Sequence, residues 1–72
     1  MSAQHIFYLE RAKEAGATAA AAALDNVRDR WLRSEASWKE MAVRSERADK
    51  MRAKLIAEKE TERAALKAAN QA

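Results

Sequence analysis

No proline interrupts the 72 residues, and Gly16 is the only glycine. A chain without turn residues cannot make the repeated tight reversals of a β-protein, because those reversals need fixed or positive φ angles. Alanine, glutamate, lysine, leucine and arginine dominate what remains, the composition of long helices and coiled coils. The fold class is therefore all-α. Size adds a second constraint. Alanine supplies 19 of the apolar residues, and larger apolar side chains are few. At about 25 cal/mol per Å² of apolar area buried, so short a chain sits near break-even against its own conformational entropy. Disulfides are excluded by the absence of cysteine, and a metal core is implausible with a single histidine. Oligomerisation is the remaining route to stability.

The pattern divides the chain into two helices. Ser2 is a plausible N-cap, and Ile6, Leu9, Ala12 or Lys13, Gly16, Ala20 and Leu24 recur at steps of three and four. This predicts a first helix over about 3–23 with Ile6 and Leu9 on its packing face. Seven alanines between Ala15 and Ala23 make that segment strongly helical but give it a nearly bald surface. Asp25 and Asn26 then favour a turn at about 24–26, because their side chains compete for backbone groups, with Asp25 as N-cap of the next helix. An uninterrupted helix is the alternative, since no glycine or proline enforces the reversal.

The second helix is expected over about 26–69. Its apolar seam steps through Leu24, Val27, Trp31, Ser34, Trp38, Met41, Ser45, Ala48, Arg52 and Leu55, a heptad repeat that weakens after Met41. The last fifteen residues have little to bury, so their end is expected to fray. Glu35–Lys39, Glu40–Arg44 and Glu46–Lys50 place acid before base at i,i+4, each contributing a few tenths of a kcal/mol. If the chain reverses near residue 25, antiparallel pairing joins positions whose numbers sum to roughly 51. Trp31 then faces Ala17 and Ala20, Trp38 faces Ala12 and Gly16, Met41 meets Leu9, and Ser45 or Ala48 meets Ile6. Large against small is how two helices approach closely and still fill space. The expected architecture is an antiparallel helical hairpin, short helix then long, assembling as a dimeric four-helix bundle.

Candidate interaction residues follow from the same pattern. Trp31, Trp38 and Met41 share one face and are read as core, with Trp38 near a dimer contact. Phe7 and Tyr8 then point away from the seam and form a second packing surface. Net charge is +3, all of it within residues 44–54, where Arg44, Arg47, Lys50 and Lys54 form a basic stripe with Arg52 nearby. Such a stripe is either a solvated face or a dock for an acidic protein or nucleic-acid phosphates. Interleaved acids and the lack of nearby aromatics argue against sequence-specific DNA reading. His5 has no acid one turn away and reads as an ordinary surface histidine, so no metal site is expected. No phosphate loop, activated nucleophile or acid–base constellation is present, so no catalytic residue and no cofactor are assigned.

The stretches Tyr8-Leu9-Glu10-Arg11-Ala12 and Leu24-Asp25-Asn26-Val27-Arg28-Asp29-Arg30-Trp31, continuing to Trp38-Lys39-Glu40-Met41-Ala42, resemble short bacterial alanine- and arginine-rich helical-hairpin proteins of unknown function. The likeness covers residues 5–44. It implies a two-helix arrangement and brings no activity or functional residues. The functional expectation is a non-enzymatic, self-associating protein–protein interaction module, an adaptor or small regulator. It is expected to be cytoplasmic and homodimeric, with no membrane role because acids are interspersed on the polar face. A nucleic-acid-associated helical protein using residues 44–54 is the alternative.

Overall fold

The structure, a computed structural model, describes residues 2–71 and contains two α-helices, with no strand among those residues. Helix α1 spans Ala3–Ala21 and helix α2 spans Asp25–Gln71. Ser2 caps α1 as expected, its hydroxyl accepting from the His5 backbone N–H at 3.2 Å. The chain leaves α1 at Ala22, whose backbone is extended and whose N–H still donates to the Ala19 carbonyl. Three residues, Ala22 to Leu24, make the reversal. None of the described residues has positive φ, so the turn needs no glycine.

The reversal thus falls two residues earlier than the sequence pattern suggested. Asp25 is the first helical residue of α2 rather than its N-cap, and the Leu24 carbonyl accepts the N–H of Arg28 at 3.0 Å. A carboxylate in the first turn suits the positive end of the helix dipole. That of Asp25 is also held by the Arg28 guanidinium at 2.7 Å. All three acid-before-base pairs form, Glu35–Lys39 at 3.7 Å, Glu40–Arg44 at 2.6 Å and Glu46–Lys50 at 3.0 Å.

Helix α1 runs back antiparallel along the first half of α2. Ser2 reaches Asp49, His5 reaches Ala42 and Gly16 lies against Glu35. The face of α1 that packs is displaced by one residue from the one expected. His5, Ala12, Ala15 and Ala19 are buried and Tyr8 half-buried, whereas Ile6 and Leu9 remain 43% and 42% exposed. The displacement has a steric origin. Alanines at steps of three and four let the two backbones approach closely, and Ala42 is the buried counterpart on α2. A seam of isoleucine and leucine would hold the helices apart.

Trp38 lies against Phe7 and Tyr8, and the residue facing Gly16 is Glu35. A β-carbon on Gly16 would overlap the outer end of the Glu35 side chain and nothing else. Because that end is flexible, Gly16→Ala is expected to be accommodated by a swing of the carboxylate. The gain in helix propensity, about 0.8–1.0 kcal/mol, then dominates. Thermal denaturation should show unchanged or raised stability. A loss would mean that Glu35 is held rigidly where it stands.

The second helix outruns the first. Every residue from Lys50 to Gln71 is exposed, and the molecule measures 73 × 14 × 10 Å. Its radius of gyration of 20.6 Å compares with about 11 Å for a compact chain of this length. Among the described residues no large side chain is fully buried, and the interior amounts to four alanines and His5.

Candidate functional site

The inter-helix seam carries an aromatic cluster along one flank. The Phe7 ring meets Tyr8 at 5.8 Å between centroids and Trp38 edge-on at 5.9 Å, while Tyr8 and Trp38 lie 6.0 Å apart. These separations and tilts fall in the range where aromatic quadrupoles attract. The Arg11 guanidinium sits 5.1 Å from the Phe7 centroid, within cation–π range. The phenolic oxygen of Tyr8 accepts from Gln4 Nε2 at 2.8 Å. Phe7 and Tyr8 were expected to form a surface separate from the tryptophans. The structure instead brings Phe7, Tyr8 and Trp38 together.

Two open grooves border this cluster. One is lined by Trp31, Ser34 and Trp38 from α2 together with Phe7, Arg11 and Glu14 from α1. The other is lined by Met41, Arg44 and Ser45 with Gln4 and Tyr8. Trp31 is 37% exposed and Met41 half-buried, so α1 covers these residues only in part.

His5 corrects the surface assignment made for it above. It is 5% exposed, and its Nδ1 lies 2.9 Å from the Ala42 carbonyl oxygen. A carbonyl can only accept, so Nδ1 carries the hydrogen. The histidine ties the first turn of α1 to the middle of α2. The signal for it was present as the spacing His5, Tyr8, Ala12, Ala15, Ala19, and was outweighed by the greater hydrophobicity of Ile6 and Leu9. Among the described residues no three His, Cys, Asp or Glu side chains gather closely enough to hold a metal ion.

Two carboxylates near the start of α1 have pKa values below their ordinary range. For Glu46 the main cause is the hydrogen bond from Lys50, followed by the Lys50 charge and a smaller contribution from His5. For Asp49 the main cause is its hydrogen bonding with Ser2, whose backbone N–H donates at 3.4 Å, with a further contribution from Arg52. A carboxyl group whose folded pKa is lowered stabilises the fold above its unfolded pKa and loses that stabilisation as pH falls through the folded value. Stability should therefore be level from neutral pH down to about 5 and decline below about 4. Asp49→Asn should flatten the Asp49 part of that decline in denaturation curves taken across pH 2–7. An unchanged acid limb would exclude the contact from Ser2 to Asp49 as a contributor.

The basic stripe is exposed along its length, but half of it is matched. Arg44 and Lys50 pair with Glu40 and Glu46, whereas Arg47 and Lys54 have no ion pair among the described residues. No helix is long and apolar enough to cross a membrane among the residues described.

By fold and surface the chain is a two-helix protein with a short alanine-seamed helix packed on a long one, an aromatic flank and an unpartnered C-terminal half of α2. No protein-family model, no curated protein and no solved structure matches it.

Proposed function

We propose that the protein is a self-associating helical interaction module, completed as a homodimer and acting by binding rather than by catalysis. One observation carries this reading, the mismatch between what the hairpin buries and what it exposes. Its interior holds four alanines and a histidine, while Ile6, Phe7, Leu9, Trp31, Val43 and Leu55 all stand at least one-third exposed. The accessible surface is 5956 Å², against about 4,500 Å² for a compact monomer of 8.1 kDa. The excess, about 1,500 Å², is more than the roughly 800 Å² that each partner contributes to a standard interface. Support for a non-enzymatic role comes from where the titratable groups are engaged. The sole histidine holds a backbone carbonyl, and most acids of the hairpin pair with neighbouring bases. The exposed C-terminal half of α2 is then the arm through which an adaptor or regulator would meet other proteins.

Sedimentation equilibrium over a wide concentration range and at two salt levels tests this. The expected result is a mass of twice 8.1 kDa that is maintained at high salt, as association through apolar surface requires. A monomer at every concentration would overturn the proposal. Nucleic-acid binding through Arg44, Arg47, Lys50 and Lys54 is the weaker reading, because Glu40 and Glu46 already neutralise two of the four cations. It requires duplex binding that falls steeply with added salt.

A further inference from the structure

The α2 seam read from the sequence and the face of α2 that α1 covers do not coincide, and the difference defines a second packing surface. The seam runs Trp31, Ser34, Trp38, Met41, Ser45, Ala48, Arg52, Leu55, in alternating steps of three and four that repeat every seven residues. On an α-helix such a repeat drifts by about 20° per heptad. Helix α1 lies instead over Ala42 and reaches Asp49. The seam accordingly emerges from beside α1: Trp31 to Ser45 line the two open grooves, and Ala48 and Leu55 are exposed, Leu55 by 50%.

We infer that this strip pairs with the same strip of a second copy, antiparallel, about a two-fold axis at the level of residue 43. The inference rests on the dimer reading above and adds its geometry. Self-complementarity argues for it, because a two-fold interface requires one patch to fit itself. In this register the numbers of facing seam positions sum to 86. Trp38 then meets the partner's Ala48, Trp31 meets the partner's Leu55, Met41 meets the partner's Ser45 and Ser34 meets the partner's Arg52. Three of the four layers thus put a larger apolar side chain against a smaller or aliphatic one, the fit needed for close helix packing. Beside the seam, Arg30 comes level with the partner's Ile56 and two residues from the partner's Glu58, a complementary pair that occurs twice by symmetry. Arg44 falls one residue from the axis, near its own copy, and its charge is already matched by Glu40 at 2.6 Å. The axial span from residue 31 to 55 is about 36 Å at 1.5 Å per residue, so the strip continues past the end of α1 as far as Leu55 and leaves the remainder of α2 free.

The natural chain has no cysteine, so engineered thiols report pairing without background. Ser34→Cys and Arg52→Cys are prepared separately, checked by sedimentation, then oxidised alone and as an equimolar mixture. The expected result is a cross-linked dimer that forms in the mixture and not in either variant alone, since positions 34 and 52 face each other only in the antiparallel register. A parallel arrangement would instead cross-link each variant to itself and would overturn the inferred geometry while leaving the dimer intact. Ala48→Arg gives a second readout. Ala48 is exposed in the hairpin, so helicity should be retained, while the dimer dissociation constant should rise at least about tenfold because Trp38 sits opposite. Dimers unaffected by Ala48→Arg would also overturn the geometry, and monomers of the natural chain would overturn the dimer reading beneath it.

Discussion

Trp38→Ala should separate α1 from α2. The indole packs against both Phe7 and Tyr8 across the seam, with centroid separations of 5.9 and 6.0 Å. Truncating a core tryptophan costs about 3–5 kcal/mol, and aromatic pairs add about 0.5–1.5 kcal/mol each beyond their area. Trp38 is half-buried, so a loss of about 2–3 kcal/mol is the appropriate expectation. Little remains to resist it, because the rest of the interior is four alanines and His5. Once detached, α1 is a 19-residue helix in water, a length at which even alanine-rich sequences are only marginally helical. Circular dichroism at 222 nm should therefore lose the share carried by α1, and Trp31 fluorescence should shift towards that of a fully solvated indole. Retained ellipticity and an unshifted spectrum would show that alanine packing alone holds the hairpin.

Ala42→Leu should be nearly as damaging, for the opposite reason. Ala42 is 2% exposed, and its carbonyl oxygen is the acceptor for His5. Three more carbons here have no space between the helices, and overpacking of this kind costs about 1–3 kcal/mol. Pushing the helices apart also strains the His5 hydrogen bond, leaving a buried ring nitrogen without its acceptor. Ala36→Leu is the matched control, since Ala36 is exposed on the same helix and makes the same change in composition and propensity. Melting curves should show a large loss for Ala42→Leu and almost none for Ala36→Leu. Equal behaviour of the two would mean that the seam is loose enough to repack.

Much of this architecture was legible along the chain. Helix α1 begins at the Ser2 cap, α2 runs unbroken through 47 residues, and the i,i+4 ion pairs stand where their spacing put them. Those features depend on neighbours within one turn, whose interactions any reading of the sequence can enumerate. The antiparallel register was also close. The pairs Ser2–Asp49 and Gly16–Glu35 both sum to 51, while His5–Ala42 sums to 47 and Phe7–Trp38 to 45. At the aromatic end Trp38 meets Phe7, six residues nearer the start of α1 than a sum of 51 would place it.

By itself the sequence determined that the protein is helical, and it favoured, without enforcing, a break into a short helix and a longer one. Propensity, caps and the absence of proline are local properties and suffice for that. Only the tertiary structure decided which face of α1 is inside. Hydrophobicity favoured Ile6 and Leu9, but the free energy of packing depends on how near two backbones can come. A row of alanines with one hydrogen-bonding histidine permits an approach that isoleucine and leucine do not. The same choice left Ile6, Leu9 and much of the α2 seam facing outward. The surface available to a partner is thus set by which small residues were spent inside, a quantity that exists only once both helices are in place.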